Sequence, residues 1–176
     1  GAIYEAARII NEFRVQLSAE QYLTFNPGII IGGAELDYNS ASISGEVSGK
    51  ANIISPLCIS QGDLRFLRQA QRDSARLKMM HVANGNLPGT RAEIRFTEGM
   101  PPMEPTKGNN QLAELLSKIS VDLGYGPLKP GDPAGRGAGD ISYVASRLDA
   151  LDGLGAEGWG GHAPGETMSL KTFERQ

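Results

Sequence analysis

Apolar residues in the first seventeen positions fall at Ile3, Ala6, Ala7, Ile10, Phe13 and Leu17. That spacing gathers them on one stripe of a helix from Gly1 to Leu17. No capping residue precedes the stripe, so the chain is expected to open within an architecture rather than at its start. Leu23 to Ile31 predicts a strand broken by Asn26-Pro27-Gly28 and ended by Gly32-Gly33. Asp37 to Lys50, rich in Ser, Gly and Asn, predicts a loop or hairpin with weak strand character. Ile53 to Arg65 predicts the next strand, interrupted early by Pro56. Strand alternation puts Gln61, Asp63 and Arg65 on the face of Leu57 and Ile59, and a polar trio closing an apolar face marks a place to look for a ligand. Phe66 to Ala83 predicts a second helix with Leu67, Ala70, Ser74, Leu77 and His81 along one side, stopped by the run from Asn84 to Gly89. Thr90 to Thr97 then alternates, with Ala92, Ile94 and Phe96 inward and Arg91, Glu93 and Arg95 outward, as a half-buried antiparallel strand does. The order helix, strand, strand, helix, strand predicts an α/β fold, an antiparallel sheet with both helices on one face.

Gly99-Met100-Pro101-Pro102-Met103-Glu104-Pro105 follows, and its three prolines fix φ and exclude helix. A domain junction is expected there, with the two methionines packing the linker. Leu112, Leu115, Leu116, Ile119 and Leu123 predict a strongly amphipathic helix closed by Gly124. The glycine-rich turn Gly135-Arg136-Gly137-Ala138-Gly139-Asp140 runs into helix-compatible residues from Ile141 to Ala145. Backbone N–H groups can converge where no Cβ intervenes, so a carboxylate or phosphate at this turn would meet a helix N-terminus. Asp149 to Leu154 is a short strand candidate. In a second glycine-rich loop, Gly158 to Glu166, stands His162, with the Glu166 carboxylate four residues behind it. Such an imidazole can ligate zinc or move a proton; equally, both loops can be ordinary connections and His162 simply exposed. His81, near the end of the second helix, is read as a surface histidine facing the helix dipole. Leu170 to Arg175 begins a further element.

Composition narrows the chemistry. The 176 residues carry a net charge of −3 and a pI near 5.4, which gives no sequence-independent grip on nucleic acid. The one cysteine, Cys58, excludes an internal disulfide framework and a thiolate metal cluster. No apolar run approaches the ~20 residues that span a bilayer, so no membrane partner is expected. No signal peptide stands at the start, and the compartment is left open between cytoplasm and periplasm.

Taken in order, Asn52-Ile53-Ile54, Asp63-Leu64-Arg65, Glu98-Gly99-Met100-Pro101, Gly137-Ala138-Gly139-Asp140 and Gly160-Gly161-His162-Ala163-Pro164-Gly165-Glu166 resemble the zinc-dependent exopeptidases that include glutamate carboxypeptidases, acetylornithine deacetylases and succinyl-diaminopimelate desuccinylases. The resemblance covers nearly the whole chain. It implies a two-zinc catalytic domain interrupted by a ferredoxin-like lid domain that mediates dimerisation. Residues 1–97 would be the lid without its first strand, and residues 98–176 the incomplete closing part of the catalytic domain. On the same resemblance His162 is a zinc ligand, and Asn52, Arg65 and Gly137 hold a small peptide or N-acyl amino acid substrate. A guanidinium fork suits its α-carboxylate and an asparagine amide an oxyanion. For Arg65 an ion pair with Asp63 is the plain alternative. Ala138 and Gly139 stand where many members carry glycine and a hydroxyl residue. The remaining zinc ligands, the bridging aspartate and the glutamate base have no counterpart here, so the segment is expected to be inactive alone. Other classes of answer are a non-catalytic dimerisation module and a small-anion binding module that uses the glycine turn.

Overall fold

A computed structural model of the chain describes residues 1–135 and 137–173. It is mixed α/β, with three α-helices and three two-stranded antiparallel sheets among the described residues. The chain divides into two compact units, Gly1–Gly99 and Met100–Gln176.

In the first unit α1 spans Ala2–Leu17, β1 Thr24–Gly33, β2 Glu35–Asn39, β3 Ser44–Ser48, β4 Leu57–Arg65 and α2 Gln69–Asn84. Strands β1 and β4 pair antiparallel from Thr24 opposite Arg65 to Gly33 opposite Leu57, and the register shifts between Pro27 and Ile29. Pro27 has no N–H for a ladder, so the chain passes it with a bulge at Gly28 and continues as one strand. The polar stretch expected to be a loop or hairpin is the hairpin β2–β3, and Tyr38 Oη donates to Gln61 Oε1 at 2.7 Å, tying it to β4. Residues 53–56 are irregular, and β4 begins only after Pro56. Buried Ser55 makes that start, with its hydroxyl 2.7 Å from Leu57 O and 3.0 Å from Gly33 O.

The core joins Phe13 and Leu17 of α1 with Leu23 and with Ala75, Met79 and Val82 of α2. Phe25, Leu64, Ile94 and Phe96 pack around it, and Phe13 meets the Phe25 ring edge-on at 5.3 Å. The inward face of α2 differs from the expected one. Ala75 is 0% exposed whereas Leu77 is 65% exposed, and His81 is exposed. Two residues along a helix turn the side chain by about 200°, and the small Ala75 admits the closest approach.

At the other end of α1, Glu5 is 3% exposed. Arg8 binds it through Nη2 at 2.7 Å and Nε at 3.2 Å, and Leu87 N–H donates to it at 3.1 Å. Arg8 Nη2 also donates to Val82 O at 3.0 Å. Hydrogen bonding from Arg8 is the main cause that holds the Glu5 carboxyl below the usual carboxylate range, against the opposing effect of burial. This clamp fastens the end of α2 to α1.

The expected strand from Thr90 to Thr97 is not a strand. The alternation is present, with Ala92, Ile94 and Phe96 half-buried and Arg91, Glu93, Arg95 and Thr97 exposed. Yet no backbone ladder reaches residues 91–97 among the described residues. Side-chain pattern is satisfied by packing on the helices; a ladder needs an adjacent strand as well. The single sheet expected for this unit is accordingly two separate pairs, β1–β4 and β2–β3.

In the second unit α3 spans Lys107–Asp122. Thr106 caps it by accepting from Asn109 N–H at 3.0 Å. At its end Gly124 takes φ +81, with Gly124 N–H bonded to Val121 O and Tyr125 N–H to Ser120 O, both at 2.9 Å. That is a Schellman ending, and it requires the left-handed residue that glycine supplies. Residues 149–154 form no strand. They are pinned instead to the start of α3: Asp149 Oδ1 accepts from Thr106 Oγ1 at 2.8 Å and Ala150 N–H donates to Asn109 Oδ1 at 2.9 Å. The stripe of α3 is largely uncovered, with Leu115 54% and Ile119 46% exposed. Residues 170–173 are turn and 3-10 structure; the rest of the element expected from Leu170 to Arg175 lies outside the described residues, as does Arg136 of the glycine turn.

Candidate functional site

His162 is carried on a hairpin that the loop-like sequence hides. Strands β5 (Gly158–Trp159) and β6 (Thr167–Met168) pair antiparallel, and Ser169 N–H extends the pairing to Glu157 O at 2.8 Å. Between them the chain turns through two backbone bonds, Ala163 N–H to Gly160 O at 2.9 Å and Glu166 N–H to Ala163 O at 3.1 Å. His162 has φ +65. Left-handed backbone costs a non-glycine residue roughly 1–2 kcal/mol, so the flanking bonds and glycines hold the histidine where its own preference would not. It is exposed. The Glu166 carboxylate folds back over the turn, its Oε1 3.9 Å from where a Cβ on Gly161 would lie. Imidazole and carboxylate thus occupy one short turn. This can offer a metal one nitrogen, with an acid close by to orient a ring N–H or take a proton.

The glycine turn is built differently from the expected cradle. A single 3-10 turn, Asp140–Tyr143, follows it in place of a helix from Ile141 to Ala145. Glycine, serine and β-branched residues give so short a run little tendency to nucleate an α-helix. The chain's own Asp152 lies against Gly139, where a Cβ would sit 1.8 Å from Asp152 Oδ2. Gly137 is exposed, with open space where its side chain would be. Gly108 repeats the Gly139 arrangement at α3, where a Cβ would sit 1.8 Å from Asp149 Oδ2. In both places an acidic side chain fills the room a glycine leaves.

In the first unit Asn52 lies exposed in a turn before β4, and Arg65 lies exposed at its far end. Strand β4, Leu57–Arg65, lies between them and spans on the order of 25 Å over its eight steps at about 3.3 Å per residue. Arg65 Nε donates to Asp63 Oδ2 at 2.7 Å, the ion pair weighed as the plain alternative. With Gln61 bonded to Tyr38, all three members of the polar trio have partners within the chain. Burial raises the pKa of the Cys58 thiol, which disfavours its thiolate form.

Sequence reasoning missed the Glu5 clamp, the β5–β6 hairpin and the acidic residues seated on glycines. Only the first left a local trace, Glu5 and Arg8 one helical turn apart. Among the described residues no three His, Cys, Asp or Glu side chains gather into a group that could hold a metal ion. The donor chemistry fits zinc at His162 as one ligand of a set. Compared with protein-family models, curated proteins and solved structures, the chain shows no significant match.

Proposed function

We propose that the chain is the lid and closing part of a zinc-dependent exopeptidase that cleaves the amide bond next to a C-terminal amino acid such as glutamate. His162 supplies one zinc ligand, and residues outside this segment supply the others. Zinc, when bound, supplies Lewis-acid activation of water and of the scissile carbonyl. Within the chain, His162 would supply one nitrogen ligand, Glu166 of the same turn would orient its ring, and Gly137 would offer open backbone to a substrate carboxylate. Asn52 and Arg65, held apart by β4, serve different active sites in a homodimer.

The observation that carries this reading is the presentation of His162, exposed and held left-handed at the tip of a closed hairpin. Exposed apolar side chains on α3, Leu115 and Ile119 among them, support the requirement for further parts. Residues 91–97, without a ladder, favour as a second reading a module that pairs strands with another copy. The Asp152 carboxylate on Gly139 disfavours the glycine turn as an anion site acting by itself.

The test is His162→Ala and His81→Ala in the complete polypeptide, with zinc content and hydrolysis of an N-acyl-glutamate read together. Loss of zinc and a fall in turnover of a thousandfold or more in His162→Ala alone supports the proposal. Equal turnover in both variants overturns it.

A further inference from the structure

From Arg91 to Thr97 exposed and half-buried residues alternate without a break, as they do in an extended segment with one face on a core. Both ends of the segment are tied. Ala92 N–H donates to Asn86 Oδ1 at 2.9 Å. At the other end the Arg76 guanidinium lies 5.0 Å over the Phe96 ring, and Arg72 and Arg76 both bind the Glu98 carboxylate. The segment is thus ordered in advance, and a strand that pairs with it meets little further loss of backbone freedom. The bond at Ala92 decides which edge is open. Along an extended chain the N–H and C=O groups of successive residues point to opposite edges. Ala92, Ile94 and Phe96 therefore address the edge that Asn86 occupies, and Arg91, Glu93, Arg95 and Thr97 the other. None of these four has a backbone hydrogen bond among the described residues.

Reversed, the segment is its own complement. Set antiparallel to a second copy about Ile94, it places Glu93 opposite Arg95, Arg95 opposite Glu93, Ala92 opposite Phe96 and Ile94 opposite Ile94. Opposite charges that face each other favour a strand pair, and like charges oppose it. A slip of the register by two residues one way brings Glu93 against Glu93 and Arg91 against Arg95; a slip the other way brings Arg95 against Arg95. Within one copy Arg95 Nε donates to Glu93 Oε1 at 2.7 Å, but the two side chains are 84% and 67% exposed. An ion pair so open to water holds its members weakly and leaves them able to exchange partners.

We propose that residues 91–97 are a self-pairing edge: two copies of the chain join antiparallel about Ile94 through the backbone groups of Arg91, Glu93, Arg95 and Thr97. The proposal gives an edge and a register to the second reading above, on which it rests, and does not depend on zinc chemistry. One strand pair buries little area, so the dimer is weak. The test is sedimentation velocity of the chain over a concentration series, with amide exchange followed by NMR on the same samples. Rising concentration should bring association and protect the amides of Glu93 and Arg95, while those of Ile94 and Phe96 continue to exchange quickly. Glu93→Lys and Arg95→Glu should each weaken association about tenfold and leave the fold intact, since both side chains are exposed. Mixing the two variants in equal amounts, or combining both changes in one chain, should restore it. No association at millimolar concentration overturns this proposal and the second reading together. Association that neither charge variant weakens, or that protects Ile94 and Phe96 as much as Glu93 and Arg95, overturns the edge and register and leaves the second reading standing.

Discussion

Replacing Glu5 by alanine should cost the first unit about 3–5 kcal/mol, the range expected when one partner of a buried ion pair is removed. The carboxylate is 3% exposed. It accepts from Arg8 at 2.7 and 3.2 Å and from Leu87 N–H at 3.1 Å. Truncation would leave the Arg8 guanidinium with only Val82 O and the Leu87 N–H without its acceptor. Against a total stability of about 5–15 kcal/mol for a domain, a loss of that size is severe. Urea unfolding followed by circular dichroism measures it, and a double variant, Glu5→Leu with Arg8→Met, completes the comparison. With both charges replaced by apolar groups the cost should fall to about 1–2 kcal/mol, because no charge is left unpaired and only the Leu87 N–H loses its acceptor. The pH dependence has a definite sign. Glu5 is held below its usual pKa of 4.5, so its contribution is complete above about 4.5 and is lost as pH falls through the lower folded value. The difference between wild type and Glu5→Gln should shrink over that acidic range. A loss under 1 kcal/mol in Glu5→Ala, or a difference independent of pH, would refute the clamp.

Three further outcomes follow from particular contacts. Gly108→Ala should destabilise the second unit by about 1–2 kcal/mol, since its Cβ would meet Asp149 Oδ2 at 1.8 Å and expel a carboxylate from a helix N-terminus. In an Asp149→Ala background the same change should stabilise by up to about 1 kcal/mol, the ordinary preference of a helix for alanine over glycine; thermal melts that give one sign in both backgrounds contradict the contact. Amides of Ile94 and Phe96 should exchange quickly while those of Ile31 and Ile59 in the β1–β4 pair are protected, and equal protection would mean that residues 91–97 do lie in a ladder. Leu115→Glu with Ile119→Glu should abolish binding of a hydrophobic dye without lowering helicity, because both side chains are about half exposed; a loss of helicity would mean that the stripe is packed.

The helices of the first unit were legible because each follows a 3.6-residue repeat over four turns, and the break at Asn26-Pro27-Gly28 was legible as a fault in β1. Its nature as a bulge was not, since a bulge is a property of two strands and only one is local. The alternation from Thr90 to Thr97 locates the half-buried side chains Ile94 and Phe96 but not the hydrogen bonding, which depends on a neighbour the pattern does not mention. On α2 helical spacing alone fits a stripe through Leu67, Ala70, Ser74, Leu77 and His81, while packing against Phe13 and Leu17 of α1 selects the face of Ala75, Met79 and Val82. At the candidate site His162 was visible as a histidine among glycines. The hairpin that fixes it rests on four ladder residues, Gly158, Trp159, Thr167 and Met168, too few to show a period. Asp149 and Asp152, seated on Gly108 and Gly139, were invisible for a related reason: the contacts span 41 and 13 positions and leave no periodic trace.

The proposed part of His162, one ligand of a zinc site completed by residues outside this chain, is checked by titrating zinc into the chain and following the ring protons of His162 and His81 by NMR, with calorimetry and N-acyl-glutamate hydrolysis on the same sample. His162 should respond only weakly, far short of stoichiometric binding, as a lone imidazole without further ligands does, with no turnover. Tight stoichiometric binding with turnover, both lost in His162→Ala, would mean a complete site within this chain and overturn the proposal.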